Sequence, residues 1–315
     1  MNDRLTGLDT LRGIAALVVL YMHAIGFAGG HLAVDFFFML SGFVMARTYE
    51  HRLASGKISA TDFLLARFRR LWPWMAVGAT LGLLVHLYAY GPTAAVALTY
   101  VGALTLLPIS AVAPYLLNLP AWSIFYELLA NALHGAIFAK LDTKRLWGLF
   151  GVAVAAFLAA YWLIGYPRIL PATSLAMQVA VIFRALTAYL MGVLVFRLFG
   201  ERPPVDVPLW AAAAMLPAYC VVVALYPFPG WPLPFFFLCG PLMLMTGIRS
   251  TGNNPASFLG DISFPLYAIH MPVLHLAGLL GAPHLAGAAV AVGIVSLWRA
   301  HTHIRPRVDM ERSAA

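Results

Sequence analysis

LDTLRGIAALVVLYMHAIGF, residues 8–27, decides how the rest of the chain is read. A stretch of about 20 apolar residues can cross a hydrocarbon core of about 30 Å as one helix. Two of its side chains, Arg12 and His23, do not suit lipid. They are separated by roughly three helical turns, about 16 Å of rise, and share nearly one face. Arg12 therefore sits near one membrane surface and His23 lies deep toward the other. Each alone has a bland explanation: Arg12 snorkels to headgroups, and His23 is a satisfied polar core group. An ionisable group inside a bilayer is expensive, however, and two on a shared face point to function.

The remaining composition agrees with a membrane chain. The protein has 315 residues, 62% of them hydrophobic and 10% charged, with a mean hydropathy of +0.84. Soluble domains carry about 25% charged residues. The first stretch is read as a retained helix and not a cleaved signal peptide, because its flank is barely basic, Arg12 interrupts it and many more apolar runs follow. Cys220 and Cys239 fall inside expected spans, which argues against a disulfide framework or a thiolate metal site. Metal-ligand spacing, GxSxG, P-loop and GxGxxG motifs are missing, so metalloenzyme, serine-hydrolase, NTPase and dinucleotide readings have no support. The net charge of +8 is spread over short loops, where membrane topology explains it without nucleic acid.

Ten spans account for the hydropathy: 8–27, 31–49, 72–90, 121–139, 146–164, 174–198, 208–226, 231–248, 262–280 and 284–300. The fold class expected is all-α, a polytopic membrane protein with about ten transmembrane helices over residues 1–300 and a short polar tail at 301–315. With the N-terminus in the cytoplasm, 17 of the 20 Lys and Arg residues fall on the cytoplasmic side, Arg168 lies outside, and Arg12 and Arg184 lie within spans. That asymmetry is the positive-inside signature, and it puts both termini in the cytoplasm of a cell or inner membrane. The apolar segment 93–114 is read as interfacial or re-entrant. Counting it as a span would carry Lys140, Lys144 and Arg145 outside, and Pro92, Pro108, Pro114 and Pro120 suit irregular backbone.

Of the 12 acidic residues, only Asp35 and Glu127 lie well inside expected spans. This topology sets both at a depth similar to that of His23, in the outer half of the bundle. A carboxylate beside a histidine orients the ring and raises its basicity, as a general base requires. The other explanation is that each acid pairs with a buried arginine such as Arg184. On the cytoplasmic side, TDFLLARFRRLWPW (61–74) places Arg67 and Arg70 three residues apart on one helix face. Guanidinium forks suit phosphate, so with Arg12 they would grip a phosphorylated cytosolic ligand. Lipid phosphate is the competing partner, and the better one for Arg69. His270, in FPLYAIHMPVL, lies between Pro265 and Pro272, where a kink is expected, and could line the same cavity. His86, His134 and His275 read as packing or cavity residues.

Five stretches carry a family resemblance: LDTLRGIAALVVLYMH, VDFFFMLSGFVMA (34–46), FLLARFRRLWP (63–73), LPAWSIFYELL (119–129) and FLGDISFPLYAIHMPVL (258–274). In this order they resemble the acyltransferase 3 family of integral membrane O-acyltransferases over about residues 5–300. The resemblance implies transfer of an acyl group, commonly acetyl from acetyl-CoA, onto hydroxyls of glycans or other acceptors. It carries the family's first-span Arg and His onto Arg12 and His23, and its RxxR motif onto Arg67 and Arg70. It also implies roles for Asp35, Ser41, Trp122, Ser123 and Glu127. Phe264 departs from it, since the family more often has Tyr there. Catalysis would thus rest on His23, Asp35 and Glu127, and substrate binding on Arg12, Arg67, Arg70, Trp122, Ser123 and His270. No bound cofactor or metal is expected; acyl-CoA is a co-substrate, and the acceptor and membrane lipids are the partners. His23 is either a general base oriented by Asp35 or Glu127, or is itself acylated. A rival of another class is a secondary transporter or flippase using His23, Asp35 and Glu127 as a proton relay, though no inverted repeat is evident.

Overall fold

In the computed structural model the opening stretch forms α1 (Thr6–Ile25), ended by Gly26 at φ 73°, whose N–H donates to the Met22 carbonyl. That αL cap places His23 in the last turn of the helix. The structure describes residues 4–27, 29–109, 115–167, 174–228, 230–252 and 254–313, with side chains described only as far as residue 302. The elements after α1 are α2 (Leu32–Ala54), α3 (Ala60–Tyr90), α4 (Ala94–Thr105), α5 (Ala121–Ala136) and α6 (Thr143–Ile164). They continue with α7 (Leu175–Phe199), α8 (Leu209–Leu225), α9 (Pro232–Arg249), α10 (Pro255–Leu279) and α11 (His284–Ser313). No strand occurs among the described residues.

Eight of these helices are long and apolar enough to cross a membrane, and the fold is an all-α polytopic membrane protein. The spans expected at 121–139 and 208–226 fall on α5 and α8, which have 16 and 17 residues. The expected 93–114 segment contains α4, only 12 residues long and ended by Leu106 in the left-handed region at φ 56°. At about 1.5 Å per residue it is too short to span a bilayer. Residues 110–114 of that segment lie outside the described ones. Helix α11 runs on through Ser313, over most of the polar tail expected from His301.

Start signals act where the chain needs them. Ser59, Asp142 and Ser174 each cap a helix by accepting a backbone N–H three residues on. Burial then sorts the helices. The most apolar windows of α2 and α7 are 72% and 67% buried, against 11% in α6 and 22% in α11. The first pair is therefore the centre of the bundle and the second pair its lipid-facing rim. Small residues let the central helices touch. A Cβ on Gly42 would collide with the Tyr189 carbonyl, and one on Gly192 with the Met39 carbonyl. Such small-residue contacts are the usual basis of close helix packing in lipid, where there is no hydrophobic drive between helices.

Helices α1 and α10 run side by side in parallel. Arg12 meets Gly260 near one end, and His23 meets His270 further along. Pro272 in α10 has no N–H to give the Ala268 carbonyl, which Asn118 Nδ2 takes up instead at 2.8 Å. Gly78 of α3 approaches the same carbonyl. The kinked part of α10 is thus tied to α3 and to the chain before α5, beside Tyr267 and His270.

Candidate functional site

A cavity of about 470 Å³ opens between α1, α2, α3, α5, α10 and α11 at the end of the bundle that carries Arg12. Four guanidinium groups line it, from Arg12, Arg67, Arg70 and Arg299, against the two carboxylates of Glu127 and Asp261. Trp74 and Trp298 meet edge to face at 4.9 Å in its wall.

Helix periodicity puts the RxxR pair on this wall, and each arginine is held differently. Arg67 is 5% exposed and donates from Nη2 to Glu127 Oε1 at 3.0 Å. Ser41 donates to the same oxygen at 2.9 Å. Arg12 donates from Nη2 to the Gly260 carbonyl at 2.6 Å and to Asp9 Oδ1 at 3.2 Å. The Nε groups of Arg12 and Arg67 are buried and have no partner among the described residues. Arg70 makes no hydrogen bond or ion pair to a described residue, and Arg69 is outside the lining. Unused donors and a surplus of positive charge suit a phosphorylated ligand.

The inner end of the cavity is formed by Ser123 and Tyr267, whose hydroxyls are 2.7 Å apart. Both also reach the Pro120 carbonyl, at 3.1 and 3.2 Å. The Tyr267 ring stands 5.8 Å from Phe37 and 5.8 Å from His270. Behind it lies a histidine pair: His270 Nε2 is 3.1 Å from His23 Nδ1, with ring centroids 5.1 Å apart. His270 is 1% exposed, and its Nδ1 faces the carbonyls of Tyr267 at 2.9 Å and Leu266 at 3.2 Å. Neither histidine is part of the cavity lining.

The structure regroups the acids expected near His23. Asp35 Oδ1 accepts from Arg184 Nε at 2.7 Å, and its Oδ2 accepts from the Tyr166 hydroxyl. Asp35 and Arg184 are both fully buried, and Arg184 also donates to the carbonyls of Pro167 and His31. Trp122 stacks against Arg184 at 5.8 Å and packs on Phe38, so it belongs to this ion pair. Glu127 belongs to Arg67 and the cavity. The expected carboxylate–histidine contact is replaced by a histidine–histidine contact. The reason is that arginine satisfies a buried carboxylate better than a neutral ring does, and both acids have one within reach.

Arg12, Arg67, Arg70, Ser123 and Glu127 thus share the cavity; His23 and His270 form a pair beyond it; Asp35 and Trp122 lie apart from both. Sequence reasoning missed Tyr267, Arg299 and Asp261. Tyr267 was findable, since it precedes His270 by three residues and so shares its helix face. Arg299 and Asp261 gave no such signal, being end-of-helix charges of the ordinary membrane-surface kind.

A family model described as an acyltransferase domain matches residues 5–300. "Protein 2 in picA locus" of Rhizobium radiobacter is 35% identical over 185 residues, covering 50% of this chain and 95% of that protein. No solved structure matches the chain. With the family model spanning nearly the whole chain and eight membrane-length helices around the site, this protein belongs to the acyltransferase 3 family of membrane acyltransferases.

Proposed function

We propose that the protein transfers an acyl group, acetyl in the first instance, from acyl-CoA to a hydroxyl of a glycan or other acceptor. One observation carries this reading: a guanidinium-lined cavity at one end of the bundle reaches Tyr267, whose ring packs 5.8 Å from His270 of a histidine pair. A donor with phosphates at one end and a thioester at the end of a long thin arm matches that polarity. The Lys and Arg asymmetry of the sequence supports a cavity mouth on the cytoplasmic side of a cell or inner membrane, the side on which acyl-CoA is made.

Arg12, Arg67 and Arg70 hold the phosphates by charge-assisted hydrogen bonds. The pantetheine arm points along the cavity toward Phe37 and Tyr267, and the reaction requires the Tyr267 side of the cavity to open so that the thioester reaches His23. The acceptor hydroxyl loses its proton to His23 as its oxygen attacks the thioester carbonyl. The new C–O ester bond forms, the C–S bond breaks, and the proton passes to the departing CoA thiolate. The proton-relay alternative loses its contacts, because Asp35 and Glu127 are each tied to an arginine and neither hydrogen-bonds His23.

The test is to supply purified protein or membranes with radiolabelled acetyl-CoA and follow the label. Alkali-labile label on an acceptor, abolished by His23→Ala in a protein that still inserts, supports the reading. Near-normal turnover in a folded His23→Ala variant overturns it.

A further inference from the structure

We infer that His270 is a positioning residue that fixes the tautomer of His23, so that His23 carries its hydrogen on Nδ1 and presents the lone pair of Nε2. The argument runs along the hydrogen bonds. His270 Nδ1 faces two backbone carbonyls, at 2.9 and 3.2 Å, and carbonyl oxygens only accept. Nδ1 of His270 therefore bears a hydrogen. The ring is 1% exposed and its partners are two carbonyls and another imidazole, a setting that holds it neutral, since an unpaired charge there would be costly. A neutral ring protonated at Nδ1 offers only an acceptor at Nε2. His23 Nδ1, 3.1 Å away, must be the donor. Its own lone pair then sits on Nε2.

The neighbourhood keeps His270 in place. Its helix is pinned one turn earlier by the Tyr267 phenol, which reaches Ser123 and the Pro120 carbonyl. It is pinned again by Asn118, which takes the Ala268 carbonyl that Pro272 frees.

An imidazole free in water favours the opposite tautomer, with hydrogen on Nε2, and that form has no lone pair on the atom farther from its own backbone. A histidine partner here does the work that a carboxylate does when it orients a catalytic histidine, but without bringing a charge into the bundle. The tautomer assignment stands on geometry alone; its consequence for turnover rests on the acyl-transfer reading above.

Nitrogen NMR of the full chain, labelled with ¹⁵N-histidine in detergent micelles at a pH where imidazoles are neutral, reads the tautomer directly. The His23 signals are identified by their loss in His23→Gln. Hydrogen on Nδ1 is expected in the wild type and in His270→Gln, whose amide oxygen can still accept. His270→Leu, which keeps bulk and removes the acceptor, is expected to shift His23 toward hydrogen on Nε2. Turnover is expected to stay within a few-fold of wild type in His270→Gln and to fall at least a hundredfold in His270→Leu. A wild-type His23 protonated on Nε2 overturns the proposal, as does an unchanged His23 in His270→Leu. Should His270→Leu not fold, His270→Lys, which places a donor in its stead, takes its place and is expected to shift His23 toward hydrogen on Nε2, and an unchanged His23 there overturns the proposal. Hydrogen on Nδ1 together with full turnover in His23→Ala supports the tautomer lock and overturns only the catalytic reading.

Discussion

Arg67 and Glu127 meet at 3.0 Å from helices α3 and α5, and Ser41 of α2 joins them at the same carboxylate oxygen. Glu127 thereby sets the direction of one cavity arginine. It does not hydrogen-bond His23, so its loss should act through donor binding and stability. Glu127→Gln is expected to keep kcat within a few-fold at saturating acyl-CoA, while the melting temperature in detergent falls. Breaking a buried ion pair costs about 3–5 kcal/mol. Glu127 is 18% exposed, so a smaller loss, about 1–3 kcal/mol, is expected. A hundredfold drop in kcat with unchanged melting would return Glu127 to the proton-transfer step.

The two RxxR arginines should separate in the same assays. Arg70 has no partner of its own among the described residues, so Arg70→Ala should weaken acyl-CoA binding with little change in melting temperature. Arg67→Ala leaves Glu127 unpaired and should lower both. Charge-assisted bonds to phosphate contribute about 1.5–3 kcal/mol each, which is roughly a tenfold to hundredfold change in affinity. Lysine keeps charge but not the fork, so Arg→Lys should recover only part of the loss. Arg69→Ala, outside the cavity lining, should be the mildest. Isothermal or fluorescence binding to purified variants measures this. Unchanged affinity in the Arg67→Ala, Arg70→Ala double variant would assign the pair to lipid contact.

Asp35 and Arg184 are both 0% exposed, and together they tie α2, α7 and the chain around Pro167. Asp35→Asn should therefore lower the yield of folded protein and its melting temperature, by about 3–5 kcal/mol of stability. The double change Asp35→Leu with Arg184→Met should recover part of that loss, because it removes both charges at once. Thermal unfolding of detergent-solubilised variants reads the cycle. An Asp35→Asn protein with normal melting and no turnover would instead make Asp35 part of the chemistry.

Much of this molecule was legible in one dimension. Run length and hydropathy place eight of the ten expected spans on membrane-length helices, because a bilayer demands about 20 apolar residues and leaves few alternatives. Helical periodicity places Arg12 and His23 on one face, and Arg67 with Arg70 on another, since those relations lie within single helices. The reading of 93–114 as a segment that does not cross rested on its surrounding prolines and the charge cost of a crossing, and the helix found there, α4, has 12 residues. Partnership between helices was not. Asp35, Glu127 and His23 share a depth in the sequence-derived topology, and depth alone suggests that they meet. Which of them meet depends on how each helix is rotated about its axis. That rotation is decided by contacts such as Gly42 against Tyr189 and Gly192 against Met39, where missing side chains let backbones close up. It carries Asp35 to Arg184 and leaves His23 facing α10, where His270 is the polar group within reach. Chain pattern sets what each helix carries and how deep; only the packed bundle, minimising unpaired charge in a medium without water, sets who faces whom.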